Sequence, residues 1–118
     1  MKQEQFLALT RQIQESSAQA KGVVLISMDG AILHQEGETV ADAGLIGIAG
    51  AAVLRLAEHI GNGLAECPTQ EITIRCQHHA ALFLPLSADT LLLVVLSADA
   101  DTQTLAHKIL AFMEPHRA

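Results

Sequence analysis

The chain has no tryptophan and no tyrosine, and three phenylalanines are its only benzene rings, at Phe6, Phe83 and Phe112. Without aromatic side chains on which successive bases can stack, a platform for single-stranded nucleic acid is excluded. Basic residues are scarce as well, since seven Lys and Arg stand against thirteen Asp and Glu, which gives a formal net charge of -6 at pH 7. No basic face is available for phosphates or anionic lipids, so we expect no nucleic-acid partner.

Cysteines and long apolar runs are also few. Cys67 and Cys76 are too few for a disulfide framework, and we interpret Cys76, in an apolar strand pattern, as a small core residue. The longest uncharged apolar run, Gly44 to Leu54, is shorter than the roughly 18 to 20 residues that span a membrane. The N-terminus mixes charged and apolar residues and lacks the basic start and apolar block of a secretory signal. We therefore expect a cytoplasmic protein without membrane insertion.

Aliphatic residues are abundant, and half of the 118 residues are hydrophobic. Such a chain is long enough for one continuous core and too short for two, so we predict one domain over residues 1–118. The hydrophobic periodicity predicts the elements in order. These are a helix at 3–20, a strand hairpin at 22–36, a helix at 40–61, strands at 71–77, 81–86 and 90–97, and a last helix capped by Asp101 or Thr102.

The predicted strands differ in their patterns. Asp29-Gly30 predicts a two-residue hairpin turn with both residues at positive φ. Residues 23–28 and 91–96 are apolar on both faces, which indicates interior strands covered by helices above and below. Residues 71–77 alternate instead, with Thr73 and Arg75 pointing away from the core, and this favours a sheet edge. An unprotected edge invites a second chain to pair with it, so we expect a homodimer there.

On a helical wheel, the predicted central helix has three sides. We expect a wide apolar side to cover the sheet, formed by Ile46, Ala49, Val53, Leu56, Ala57, Ile60 and Leu64. A polar side carries Arg55, Glu58, His59 and Asn62. Between them lies a flank of Ala43, Gly47, Gly50 and Leu54. Because glycine costs a helix about 0.8–1 kcal/mol relative to alanine, another backbone should approach this flank, belonging either to a second chain or to the chain's own sheet.

The order of elements, with GVVLISMDGAILHQEGE at 22–38, HIGNGLAE at 59–66, EITIRCQHHAALFLPL at 71–86 and TLLLVVLS at 90–97, resembles the Roadblock/dynein light chain family. The resemblance covers nearly the whole chain. It implies a profilin-like α+β sandwich of order α-ββ-α-βββ-α, with a five-stranded antiparallel sheet, the central helix on one face and the terminal helices on the other. It also implies a homodimer built through the central helix and the third strand, and a platform for a small Ras-like GTPase.

The sequence carries few motifs that indicate chemistry. The chain has no P-loop motif and no Gly-x-Ser-x-Gly elbow, so we predict no catalytic residue, no cofactor and no enzyme activity. His78 and His79 are adjacent, and adjacent strand residues point to opposite faces, so we predict a polar turn and no metal site. Arg55 and His59 lie four residues apart and are either solvated or partner contacts.

These observations lead to two main hypotheses. The first is a dimeric, non-enzymatic regulator or scaffold of a Ras-like GTPase. Its interface is predicted at Ala43, Gly47, Gly50, Leu54, Thr73 and Arg75, and its partner contacts at Arg55, Glu58, His59 and Asn62. The alternative is a profilin-like or PAS-like small-molecule sensory module, which requires a pocket with convergent polar groups. An esterase or thiol enzyme has the least support.

Overall fold

The computed structural model describes residues 1–38 and 42–114, and within them the helices and strands follow the predicted order. They are α1 (Gln3–Ser16), β1 (Ala20–Ser27), β2 (Ile32–Gly37), α2 (Ala43–Gly63), β3 (Ile72–Arg75), β4 (His79–Pro85), β5 (Thr90–Ser97) and α3 (Thr102–Met113). The predicted fold class is therefore confirmed. The predicted start of the central helix at Val40 lies outside the described residues.

The five strands form one antiparallel sheet in the order β2-β1-β5-β4-β3. The two strands predicted to be interior, β1 and β5, are indeed central. The alternating strand β3 lies at an edge, as its pattern predicted. The opposite edge is β2, whose pairing with β1 contains a register shift between Leu25 and Ile26. The sheet therefore has two different edges, a regular one at β3 and a bulged one at β2.

Helices cover both faces of the sheet, and each face has its own core. The larger core lies under α1 and α3, where Phe6, Leu9, Leu105 and Ile109 pack on inward side chains of β1, β4 and β5. The smaller core lies under α2, where Leu54 packs with apolar residues of the other face. Continuous apolarity in β1 and β5 thus corresponds to burial on both sides.

The first helix is shorter than predicted. It ends at Ser16, and Ser17 is already extended with φ at -148°. The Ser17 hydroxyl accepts a hydrogen bond from the Gln19 backbone N–H at 3.3 Å. This local bond offers the backbone an alternative to the helix, as serine side chains often do. Periodicity alone placed the end at residue 20, which is instead the first residue of β1.

The hairpin turn also differs from the prediction. Only Gly30 has positive φ, at 93°, and Asp29 does not. The Ser27 N–H donates to the Ala31 carbonyl at 2.8 Å, which closes a three-residue loop over residues 28–30. Such loops place a single left-handed residue at their last position, and glycine adopts it without strain. The Asp-Gly pair thus marked the hairpin correctly and its turn type wrongly.

The β1–β2 turn and the β4–β5 turn lie at the same end of the sheet, which we call the turn end. Ser27 pairs with Thr90, the first residue of β5. The Met28 N–H donates to the Asp89 carbonyl at 3.0 Å and joins the two turns directly. The turn end therefore brings together residues 28–31 and 86–90.

Candidate functional site: the exposed side of the central helix

The glycine flank of α2 faces the chain's own sheet. A Cβ atom at Gly47 would lie 2.7 Å from the Gly30 carbonyl oxygen, and one at Gly50 would lie 2.8 Å from the Phe83 ring. Leu54 is buried in the smaller core. The flank was expected to meet either a second chain or the chain's own sheet, and it meets the chain's own sheet. The predicted interface role of Gly47, Gly50 and Leu54 is therefore wrong, because the sheet already covers them. Ala43 is the first residue of α2.

The opposite side of α2 is apolar and open. Five large aliphatic side chains are each exposed by 62–66%, namely Leu45, Ile48, Leu56, Ile60 and Leu64. Three of them, Leu56, Ile60 and Leu64, were predicted to cover the sheet, and that prediction is wrong. Exposed aliphatic side chains grouped on one side of a helix are typical of protein–protein or membrane interaction sites. We call these five residues, together with Ile74 of β3, the α2 surface.

Strand β3 extends the α2 surface to the sheet edge. Ile74 is 41% exposed, and Ala81 and Val95 follow it across β4 and β5 in register. Ala81 and Val95 are only partly buried and pack against the core under α2. The row Ile74–Ala81–Val95 therefore lies on the same face as α2, and apolar side chains continue from the helix to the outer strand.

The other two side chains of β3 are bound within the chain. The Arg75 guanidinium donates to the Ala98 carbonyl and, at 3.1 Å, to the Ala100 carbonyl. The Thr73 hydroxyl donates to the Thr102 hydroxyl at 3.1 Å. Both residues thus fasten β3 to the start of α3. At this edge, a second chain would meet the backbone of β3 and Ile74.

The predicted partner contacts follow α2 as exposed side chains. Arg55 donates from Nη2 to the Met28 carbonyl at 2.7 Å, which ties the helix to the β1–β2 turn. The Ser27 hydroxyl, the Ala31 N–H and the more distant positive charge of Arg55 lower the pKa of Asp29 in that turn. Glu58 lines a small cavity of about 130 Å³ at the turn end. His59 and Asn62 lie further along the helix, exposed to solvent.

Two other predicted features can be located. Cys76 is exposed, so its interpretation as a core residue is wrong. The residue follows β3, and its N–H donates to the His79 carbonyl at 2.8 Å, so it lies in the β3–β4 turn with His78. Across residues 1–38 and 42–114, no three His, Cys, Asp or Glu side chains converge in a way that could hold a metal ion.

The apolar character of α2 has a second implication. Residues 44–63 form a helix that is long and apolar enough, by length and composition, to cross a membrane, and only 28% of an 18-residue apolar stretch within it is buried. The uncharged run ends at Leu54, because Arg55 follows it, and its length alone predicted no membrane span. In the folded chain, however, one side of this helix packs on the sheet, where Gly47 approaches the β1–β2 turn and β2, and Gly50 approaches β4 and β5. The helix therefore belongs to the folded domain, and its exposed apolar residues lie on the side that faces away from the sheet.

No family model matches the sequence, and no curated protein matches it. Solved structures do. A Roadblock/LC7 domain from Streptomyces avermitilis aligns with a TM-score of 0.76 at 15% identity, covering 92% of this chain and 94% of that one. MglB in a tetrameric arrangement aligns with a TM-score of 0.80 at 14% identity, covering 95% of this chain and 85% of that one. The gliding protein MglB from Thermus thermophilus aligns with a TM-score of 0.76 at 14% identity, covering 97% of this chain and 91% of that one. The chain has the Roadblock fold, as the resemblance predicted.

Proposed function

We propose that the chain is a non-enzymatic regulator or scaffold that forms a homodimer and binds a small Ras-like GTPase. The α2 surface carries this proposal. Five aliphatic side chains, four on α2 and one at its C-cap residue Leu64, are each more than 60% exposed and leave apolar area in water that a partner would remove. The fold is that of Roadblock proteins and of the gliding protein MglB, which supports a regulatory role.

The homodimer follows from the shape of this surface. The open side of α2 and the β3 edge belong to one face of the sheet and are linked by the row Ile74–Ala81–Val95. Two copies related by a twofold axis would bring α2 against α2 and β3 against β3. Ala49 and Ala52 are exposed between the large side chains of α2. Small residues at a helix crossing let two backbones approach closely, with larger residues packing on either side.

The GTPase is the partner that the family resemblance implies. The chain has no P-loop of its own, so it would act on a separate nucleotide-binding protein. Glu58, His59 and Asn62 are exposed beside the α2 surface. A dimer would present two copies of this polar border around its apolar centre, an arrangement typical of protein interfaces. We place the protein in the cytoplasm, where Ras-like GTPases act.

The test is a binding assay against the small Ras-like GTPases of the same organism, each loaded with GDP or with a non-hydrolysable GTP analogue. We expect one GTPase to bind in a nucleotide-dependent manner, or to change its hydrolysis rate. Glu58→Lys should weaken that binding, whereas Glu15→Lys on α1 should not. If no GTPase binds in either nucleotide state and no hydrolysis rate changes, the GTPase role is refuted.

The dimer is tested separately by light scattering after size-exclusion chromatography. We expect twice the chain mass of 12.5 kDa. A monomer at all concentrations would refute the dimer whatever the GTPase assay shows. Addition of lipid vesicles tests whether a membrane, instead of a second chain, covers the α2 surface. A chain that binds lipid through α2 would sediment with the vesicles, and a dimer would not.

A further inference from the structure

We propose that the chain binds a small amphipathic molecule, neutral or cationic, in a cavity on the face opposite α2. The cavity has a volume of about 800 Å³ and lies at the turn end, between the first turns of α1 and the last turn of α3. Small-molecule sites in proteins usually measure roughly 300–1,000 Å³. The cavity lies apart from the α2 surface, so this inference does not rest on the proposed dimer or GTPase.

The cavity lies where α3 ends and β4 continues beyond it. Helix α3 ends at Met113, whereas β4 runs on to Pro85 and leads into the β4–β5 turn. The strand end and its turn therefore form one wall, and the facing residues of α1, including Glu4 and Ala8, form the other. Leu86 and Met113, which are 9% and 8% exposed, close the floor as part of the larger core.

The lining has an apolar part and a polar part. Leu86, Met113 and Ala8 present hydrocarbon, whereas Ser87 and Thr90 present hydroxyl groups. The two hydroxyl oxygens lie 2.9 Å apart and share one hydrogen bond, and the Ser87 oxygen also accepts from the Asp89 N–H at 3.2 Å. Each hydroxyl has one donor and two acceptor sites, so part of their acceptor capacity remains for a ligand. This is the pattern of a site that holds an apolar body and orients a polar head.

Charge selects the kind of head group. Among the described residues that line the cavity, Glu4 has the one charged side chain, and Met1 contributes its terminal ammonium. The Glu4 carboxylate attracts cations and repels anions, and the Met1 ammonium opposes it. The net charge of -6 decides the balance, because it favours cations over anions at longer range. We therefore expect an alkyl or aromatic amine, or a neutral alcohol, in preference to a carboxylic acid of the same length.

The experiment uses decylamine and decanoate below their micelle concentrations and decanol below its solubility limit in water, with binding followed by backbone amide shifts in NMR. The amine and the alcohol should shift amides of the lining residues, and decanoate should bind more weakly. Ala8→Trp fills the cavity and should abolish the shifts, whereas Ala111→Trp, at an exposed α3 position outside the lining, should preserve them. Glu4→Gln should remove an amine-over-alcohol preference of about two- to fivefold, and Glu15→Gln should retain it.

Three results would overturn the proposal. The first is binding that survives Ala8→Trp, or that disappears equally in a folded Ala111→Trp variant. The second is decanoate binding as tightly as decylamine. The third is the absence of shifts with all three probes. Because none of these readouts involves a GTPase or the oligomeric mass, failure here leaves the proposed function standing, and the reverse also holds.

Discussion

Ala65 and Glu66 are the two residues other than glycine that have positive φ in the described part of the chain, at 60° and 59°. They follow α2, where the Cys67 N–H donates to the Gly61 carbonyl at 2.9 Å and turns the chain back. For a residue with a Cβ atom, the left-handed region costs roughly 1–2 kcal/mol. The exit from the central helix is therefore strained at two successive positions.

This strain predicts that Ala65→Gly stabilises the protein. Glycine adopts positive φ without penalty but loses more backbone entropy on folding, so the net gain in free energy of unfolding should be about 0.5–1 kcal/mol. Denaturant titration measures it. Ala111→Gly within α3 is the matched control and should destabilise by about 1 kcal/mol. Equal effects at the two positions would contradict the strain.

Asp101 gives a pH prediction at the same scale. Its carboxylate caps α3, accepting from the Thr104 N–H at 3.1 Å and from the Thr104 hydroxyl at 2.6 Å. These bonds, the hydroxyl's first, lower its pKa below the ordinary value of 3.8. A lowered pKa means stability that is present above the unfolded pKa and is lost as pH falls through the folded pKa.

The stability of Asp101→Asn should therefore depend less on pH than that of the wild type below about pH 5. Asparagine retains a capping oxygen but does not titrate. Thermal unfolding measured from neutral to acidic pH tests this, with Asp99→Asn as the control. If the unfolding temperature of Asp101→Asn falls with pH as steeply as that of the wild type, the role of the Asp101 carboxylate in the acid dependence is refuted.

At the scale of elements, the contact between α2 and the β1–β2 turn depends on the absence of a side chain. Gly47→Ala would place a Cβ atom 2.7 Å from the Gly30 carbonyl oxygen. Because the obstacle is backbone, helix and turn must separate, and we expect a loss of roughly 1–3 kcal/mol. Gly63→Ala in the same helix meets nothing within 4 Å and should be neutral or slightly stabilising. Chemical denaturation compares the two.

Arg75 gives the second prediction for an element. Its planar guanidinium donates to two carbonyls of the β5–α3 connection, Ala98 and Ala100. A lysine ammonium cannot reproduce that fork. Arg75→Lys should therefore speed amide exchange in β3 by about three- to tenfold, the equivalent of one lost hydrogen bond. Arg11→Lys, exposed on α1, should leave β3 unchanged, and unchanged exchange in Arg75→Lys would dismiss the fastening role.

The sequence could predict the elements and their order because each has a strong local pattern. Strands β1, β4 and β5 contain near-continuous apolar runs and β3 alternates strictly, whereas β2 was located by the Asp-Gly turn before it. Asp101 is both a good cap and the observed one. It could not predict which side of α2 faces the sheet. A wheel ranks sides by apolarity, but the sheet selects the side that allows the closest approach, which is Gly47 and Gly50. The larger residues Leu56 and Ile60 were left outside for that reason.

At the scale of the whole molecule, the two faces of the sheet differ in what they leave exposed. The α1 and α3 side exposes mostly polar residues around one cavity, whereas the α2 side exposes aliphatic residues. The same substitution made once on each face can therefore distinguish a specific effect on association from a general effect of adding a surface charge. Leu56 on α2 and Leu7 on α1, exposed by 63% and 39%, are the matched pair.

Leu56→Asp should convert the proposed dimer into a monomer, because it buries a charge at the centre of an apolar interface. Leu7→Asp should remain a dimer. Sedimentation equilibrium measures both masses. The unfolding temperature of the wild type should also rise with protein concentration, as it does for associating chains, and that of Leu56→Asp should not. A dimer that persists in Leu56→Asp would exclude the α2 surface as its interface.

The register shift in β2 has a consequence for how many chains can join. A strand edge accepts another strand only where its hydrogen-bonding groups are evenly spaced, and bulges and charges prevent such pairing. Beyond its bulge, β2 carries Glu36, and Glu38 follows it; β3 pairs with β4 without a shift. Each chain therefore has one sheet edge that can pair with another chain, in the way that a monofunctional monomer has one reactive end. We therefore expect edge pairing to stop at two chains, and a larger assembly would have to grow from a helix face.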